Sequence, residues 1–212
     1  PTDISVHTVI TDRAARNVSK NVFAKVGSLG QQAIERQKDK DGLTVLDGAS
    51  TSLCGAGTTL TAGHIAAAAY RIRGNTSEPW DGPVAFVLHS FQMKDLFDQL
   101  VAGVGTYDIS SGVTADVFKN SFNLPIANAQ AHVDDNISID SADDAIGGVF
   151  ASGANGAIIL VQARMPWVKT IRNEKLGGGA TEVLHRDEFA YGERSSGNWL
   201  YEIKSDATAP TS

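Results

Sequence analysis

Apolar and polar residues alternate from Ile4 to Ile10. Ile4, Val6, Thr8 and Ile10 lie on one side and Ser5, His7 and Val9 on the other, which is the period of a β-strand. After this strand the period changes. Val18, Val22, Val26, Leu29 and Ala33 step by three or four, with Ile34 beside them, and predict one apolar stripe on a long helix. A helix from Arg13 to about Lys38 would be roughly 39 Å long at ~1.5 Å per residue. Gly27 and Gly30 inside it each cost up to ~1 kcal/mol relative to Ala, so they predict a bend or a close backbone approach. The polar run Lys38-Asp39-Lys40-Asp41-Gly42 is expected to end the helix.

Leu43 to Thr59, rich in Gly, Ser and Thr, reads as a loop with one short strand. Thr61 suits the N-cap of a second helix through Ile65, Ala68, Ala69 and Ile72, closed by Gly74. Asn75 to Gly82 is a turn-rich connector. Val84 to Leu88 is uniformly apolar and short, as expected for a strand buried on both faces. Ser90 can cap a third helix over Phe91 to Ala102, with Leu96, Phe97 and Leu100 inward and Gly103 as the stop.

From Gly112 onward the pattern is mostly β. Val113, Ala115 and Val117 alternate, and Leu124 and Ile126 flank Pro125. Asp134 to Asp144 forms an acidic loop, and Ala157 to Gln162 reads as another buried strand. Lys169 and Ile171 begin a further strand that breaks at Gly177-Gly178-Gly179. Glu182 to Tyr191 and Asn198 to Lys204 are the last strands, and Asp206 to Ser212 is a small, polar, mobile tail. No repeat of fixed period appears and no linker divides the chain. The class is α+β, with helices in the first half and strands in the second.

At 212 residues and 22.4 kDa the chain fits one large domain or two closely packed lobes, enough to bury a core without staples. Hydrophobic residues at 42% and charged residues at 20% mark a globular chain rather than a disordered one. A formal net charge of −6 argues against a general nucleic-acid binder and against docking on an anionic membrane. Cys54 is the single cysteine, so no internal disulfide forms and a reducing compartment is expected. The longest apolar runs fall far short of the ~20 residues of a membrane helix. No signal peptide is legible, and a chain opening on Pro1 reads as a processed form or a fragment.

Candidate chemistry is sparse. Cys54 has His64 and His89 as possible partners for a small hydrolase, but no nucleophile-elbow or cysteine-enzyme signature surrounds it. His7, His64, His89, His132 and His185 include no H-x-x-x-H pair, so no zinc site is expected. A calcium loop starting at Asp134 fails at Ile139, where Gly is needed, and at Ala145, where Glu is needed. Gly55-Ala56-Gly57 lacks the rest of a phosphate-binding fingerprint. Arg164, Lys169, Arg172 and Lys175 form a basic stretch with Trp167 interleaved, better read as a half-solvated strand than as a nucleic-acid contact. The residues supply no catalytic, cofactor-binding or metal-binding set, and the chain is read as a non-enzyme with no cofactor.

Local sequence adds a resemblance. Gly82-Pro83-Val84-Ala85-Phe86-Val87-Leu88-His89-Ser90-Phe91-Gln92 resembles the strand-to-helix motif of HK97-fold phage capsid proteins, with Ser90 where many relatives have Pro. Downstream, Gly147-Gly148-Val149-Phe150, the strand at Ala157 to Gln162, Arg172, Gly177 to Thr181, Ala190-Tyr191-Gly192 and the closing Trp199 to Ala207 follow the order of that family. The resemblance implies an HK97-like capsid fold. In it Arg13 to Lys38 is a spine helix, 1–60 the first part of a peripheral domain, 61–145 mainly an axial domain, and 146–212 the return to the peripheral domain with the tail. A long arm and an extended hairpin precede the spine helix in the family. Here only Pro1 to Asp12 do, and they look like the returning strand of that hairpin.

The implied role is a major capsid protein that self-assembles into hexamers and pentamers around double-stranded DNA. Its partners would be portal, scaffold or decoration proteins, with no membrane, and it would be built in the bacterial host cytoplasm and end in the virion. An encapsulin-like nanocompartment shell is the alternative within the fold. Trp80, Phe91, Trp167, Arg194 and Trp199 are candidate intersubunit anchors, because aromatic and Arg residues dominate interface hot spots. The tryptophans serve equally well as core.

Overall fold

The structure, a computed structural model, describes residues 2–17, 20–104, 125–176, 178–195 and 197–210, with 20–22 and 100–104 described for their backbone only. In chain order the first elements are β1 (Thr2–Thr11), α1 (Asp12–Asn17), α2 (Lys20–Asp47), β2 (Ser52–Cys54), α3 (Ala62–Arg73) and β3 (Val84–Leu88). Then come α4 (Ser90–Val104), β4 (Ala129–Val133), β5 (Asp144–Ala151), β6 (Ile158–Asn173), β7 (Ala180–Glu193) and β8 (Leu200–Asp206). The chain divides into two compact units, Pro1–Asp41 with Leu160–Tyr191, and Gly42–Ile159 with Gly192–Ser212. The expected alternation of Val113, Ala115 and Val117, with Leu124 and Gly177, lies outside the described residues.

The first unit holds a three-stranded sheet in the order β1-β7-β6. β1 pairs antiparallel with β7, from Thr2 opposite Phe189 to Thr11 opposite Ala180. Its Ile4, Val6, Thr8 and Ile10 are half-buried and the residues between them exposed, as the alternation predicts. On α2 the inward face is not the expected stripe. Leu29 is 53% exposed and Ala33 is exposed, whereas Gly30, Ile34 and Lys38 turn inward at four-residue steps. A count of apolar side chains passes over glycine and lysine and so selects the neighbouring ridge. A Cβ placed on Gly30 would lie 2.8 Å from His185 Nε2, so the close approach is real there, while nothing stands within 4 Å of one placed on Gly27. Lys38 Nζ donates to the buried Asp187 carboxylate at 3.0 Å, and Gln162 Nε2 donates to its other oxygen at 2.8 Å.

The run at 38–42 does not end the helix. α2 continues to Asp47 because Leu43, Val45 and Leu46 carry its apolar spacing onto the core of the second unit, where Leu46 is 2% exposed. The short expected strand follows as β2.

The second unit is built on a five-stranded sheet in the order β2-β8-β5-β3-β4. β5 runs antiparallel to both β3 and β8, while β4 is parallel to β3 and β2 parallel to β8. β3 is an interior strand, and its Val84, Ala85, Phe86 and Leu88 are buried as its uniform apolarity predicts. α3 buries Ile65, Ala68, Ala69 and Ile72, the predicted face. The Gly74 N–H closes the helix on Tyr70 O at 2.8 Å. Gly147 and Gly148 let neighbours come close, since a Cβ on Gly147 would strike Val87 O and one on Gly148 would sit 2.8 Å from Leu46 Cδ2.

The cap of α4 sits one residue earlier than Ser90. The His89 carbonyl accepts from Met93 N at 3.0 Å, and its Nδ1 accepts from Phe91 N at 3.2 Å. Its N–H donates to Gln92 Oε1 at 3.1 Å, the reciprocal bond of a capping box. Ser90 bonds Asp135 instead. The fully buried Gln92 amide donates to Ala145 O at 2.9 Å and to Ser205 Oγ at 2.7 Å, tying α4 to β5 and β8. Leu96 is buried, Phe97 is half-buried, and α4 passes Gly103 to end at Val104.

Two further expectations are corrected. The segment 157–162 is buried only at its start, where Ala157 is 0% exposed and Ile158 and Ile159 are half-buried, because β6 then runs along an edge of the three-stranded sheet. Leu160 is 44% and Val161 58% exposed. The tail is not free throughout. Ala207 is 1% exposed, packs with Ile137 and Ala145, and donates its N–H to Asp143 O at 2.6 Å.

Candidate assembly surfaces

Cys54 stands at φ 70 as the last residue of β2, half-buried, with its thiol donating to Thr58 O at 3.8 Å. Burial pushes this thiol up from its ordinary value and the Asp144 carboxylate adds to the shift, opposite to what an activated nucleophile needs. Neither proposed partner is bonded to it. His64 Nδ1 accepts from the Thr61 N–H at 3.3 Å and lies 3.0 Å from Thr61 Oγ1, closing the cap of α3. His89 caps α4. In the loop at 134–143, Asp134 and Asp140 each turn one carboxylate oxygen onto nearby backbone. Asp134 Oδ1 accepts from Asn136 N at 2.8 Å, and Asp140 Oδ1 from Ala142 N at 2.8 Å and Asp144 N at 3.0 Å. Among the described residues, no three His, Cys, Asp or Glu side chains are grouped to hold a metal ion.

The candidate anchors fall into separate places. Trp80 and Trp199 meet, with ring centroids 4.9 Å apart, both half-buried against the core of the second unit. Trp80 Nε1 donates to Pro83 O at 2.9 Å and Trp199 Nε1 to Glu78 O at 2.8 Å. Phe91 is half-buried, edge-on to His89 at 4.7 Å. Arg194 is exposed. Trp167 lies on β6 under the Arg164 guanidinium, 4.6 Å from its ring. Further along the basic stretch, Arg172 is shared by Asp12 and Glu174.

No protein-family model and no curated protein sequence matches this chain. Solved structures do. The capsid of Ralstonia phage GP4 is similar over 100% of this chain and 74% of its own, with TM-score 0.71 at 13% identity. A structure titled Mycobacterium phage Che8 is similar over 95% and 70%, with TM-score 0.66 at 15% identity. The SrpI encapsulin complex of Synechococcus elongatus PCC 7942 is similar over 100% and 76%, with TM-score 0.68 at 8% identity. The chain has the HK97-type capsid fold.

Within the HK97-type fold α2 is the long spine helix, and β6 beside it presents a surface that sequence reading missed. β6 is an edge strand with Leu160, Val161, Met165, Val168 and Ile171 exposed by 44, 58, 74, 59 and 40%. Long exposed apolar edges are rare in isolated subunits because they pair with other chains. The signal was present in the sequence as apolar residues on both faces of one strand. That pattern reads as burial within the subunit, which led to the wrong assignment.

Proposed function

We propose that this chain is the structural subunit of an icosahedral phage shell, assembling with copies of itself into hexamers and pentamers that enclose double-stranded DNA. The observation that carries the reading is the likeness in fold to phage capsids over the whole chain rather than over one lobe. The exposed apolar residues of the edge strand β6 support it, because burying them against a copy yields roughly 25 cal/mol per Å² before association costs. Trp80, Phe91, Trp167, Arg194 and Trp199 remain the proposed anchors of those contacts, and 61–145 the proposed axial part. The subunit is not an enzyme on this reading. Portal, scaffold or decoration proteins would be its partners in the virion, with assembly in the cytoplasm of the host.

An encapsulin-like nanocompartment is the second reading, favoured by the encapsulin match over the full chain. Negative-stain microscopy of the purified full chain tests both, with closed shells or capsomers expected. Nuclease-protected double-stranded DNA inside shells recovered from a natural lysate supports the phage reading, and protein cargo supports the nanocompartment. A chain that stays monomeric in light scattering at high concentration overturns both.

A further inference from the structure

Among the described residues, three buried side-chain nitrogens have no hydrogen-bond partner: Trp167 Nε1, His185 Nε2 and Arg186 Nε. Buried polar groups are nearly always partnered, so each orphan calls for an explanation. All three belong to residues lining one cavity of about 150 Å³ within the first unit, closed on the helix side by Gln31, Ile34 and Glu35. His185 is only 6% exposed. The other two tryptophans of the chain have bonded indoles, which makes Trp167 the exception.

We propose that this cavity is an oxyanion site that takes one carboxylate or phosphate group. Trp Nε1 and Arg Nε can only donate, and His185 donates from Nε2 in the tautomer that carries its proton there, so the missing partner must be an acceptor. Two guanidinium groups flank the Trp167 ring, Arg164 at 4.6 Å and Arg186 at 5.9 Å, and they favour an acceptor with negative charge. Glu35, whose residue lines the same cavity, opposes an anion by like-charge repulsion and sets the affinity low. The group could arrive on a small free oxyanion or on an acidic side chain of a neighbouring copy.

Equilibrium dialysis of the dispersed full chain against labelled inorganic phosphate tests the site. Saturable binding near one phosphate per chain is expected. Trp167→Phe and Arg186→Gln should each weaken it about tenfold or more, the usual worth of a charge-assisted bond. Glu35→Gln should tighten it several-fold, and Trp80→Phe, whose indole is already bonded, should leave it unchanged. Using two weakening variants guards against one that misfolds, which circular dichroism would reveal. Absence of saturable binding, or binding indifferent to both variants, overturns the proposal and leaves the cavity to water. A second arm repeats the dialysis on assembled protein. Loss of phosphate on assembly assigns the site to a neighbour's carboxylate, and retention assigns it to a free oxyanion. Only this arm depends on the shell reading, because a chain that never assembles still answers the first.

Discussion

Gly27 and Gly30 stand one turn apart on α2, and a methyl group added at each meets different surroundings. Gly27→Ala enters open space and removes backbone freedom from the unfolded chain. It should raise stability by about 0.5–1 kcal/mol in urea unfolding of the dispersed chain. Gly30→Ala pushes on the His185 ring, and the overpacking should outweigh the same propensity gain, for a net loss of about 1 kcal/mol. Lys38 carries more. Its partner Asp187 is 1% exposed, so Lys38→Met strands a buried carboxylate and should cost about 3 kcal/mol, part of it restored by adding Asp187→Asn. The glycine approach was legible in the sequence, because Gly in a helix interior needs a reason. The ion pair was not. Lys38 sits in a run of charges that looks like a solvated helix end, and its partner lies 149 residues away.

Elements differ in how much of their environment is local. β3 and α3 were legible in extent and face because their neighbours inside one unit demand uniform burial or one apolar stripe, and both patterns are written in consecutive residues. The start of α4 was displaced by one residue because an imidazole performs the capping that Ser, Thr, Asp or Asn usually supply. On the same helix the Asp95 carboxyl is raised above its usual range, by burial first and then by the Asp206 carboxylate. A carboxyl raised in the folded state destabilises it where the group is ionised. This penalty fades as pH falls through the folded pKa and is gone below the unfolded value near 3.8. Asp95→Asn should therefore raise the unfolding midpoint at pH 7 and have little effect at pH 3. β6 shows the opposite limit. Its register within the sheet does not explain its exposed apolar residues, and the proposed assembly assigns them to contacts with a second chain. Met165→Lys and Val168→Lys should leave subunit stability within about 0.5 kcal/mol while raising the concentration needed for assembly about tenfold or more, as read by sedimentation velocity.

At the scale of the whole molecule, the likeness to phage and encapsulin structures at 8–15% identity shows how little of this fold resides in particular side chains. Volume and patterning are retained while residues drift. That is why short motifs could suggest the architecture while no cluster of residues announced an activity. The candidate anchors were chosen by residue type, and type alone does not separate a core aromatic from a surface one: Trp80 and Trp199 bond internally, while the exposed row on β6 contains no tryptophan. One feature of connectivity bears on production of the subunit. β8, last of the strands in chain order, lies between β2 and β5 and pairs Glu202 with Ser52 across the length of the second unit. That sheet stays open until the segment beginning at Leu200 has been translated and has cleared the ribosome. A polypeptide terminated earlier carries a gap flanked by two bare strand edges and has no finished sheet to offer a neighbour. On the shell reading proposed above, the order of synthesis would act as a length check, because a subunit lacking β8 has no finished sheet to bury.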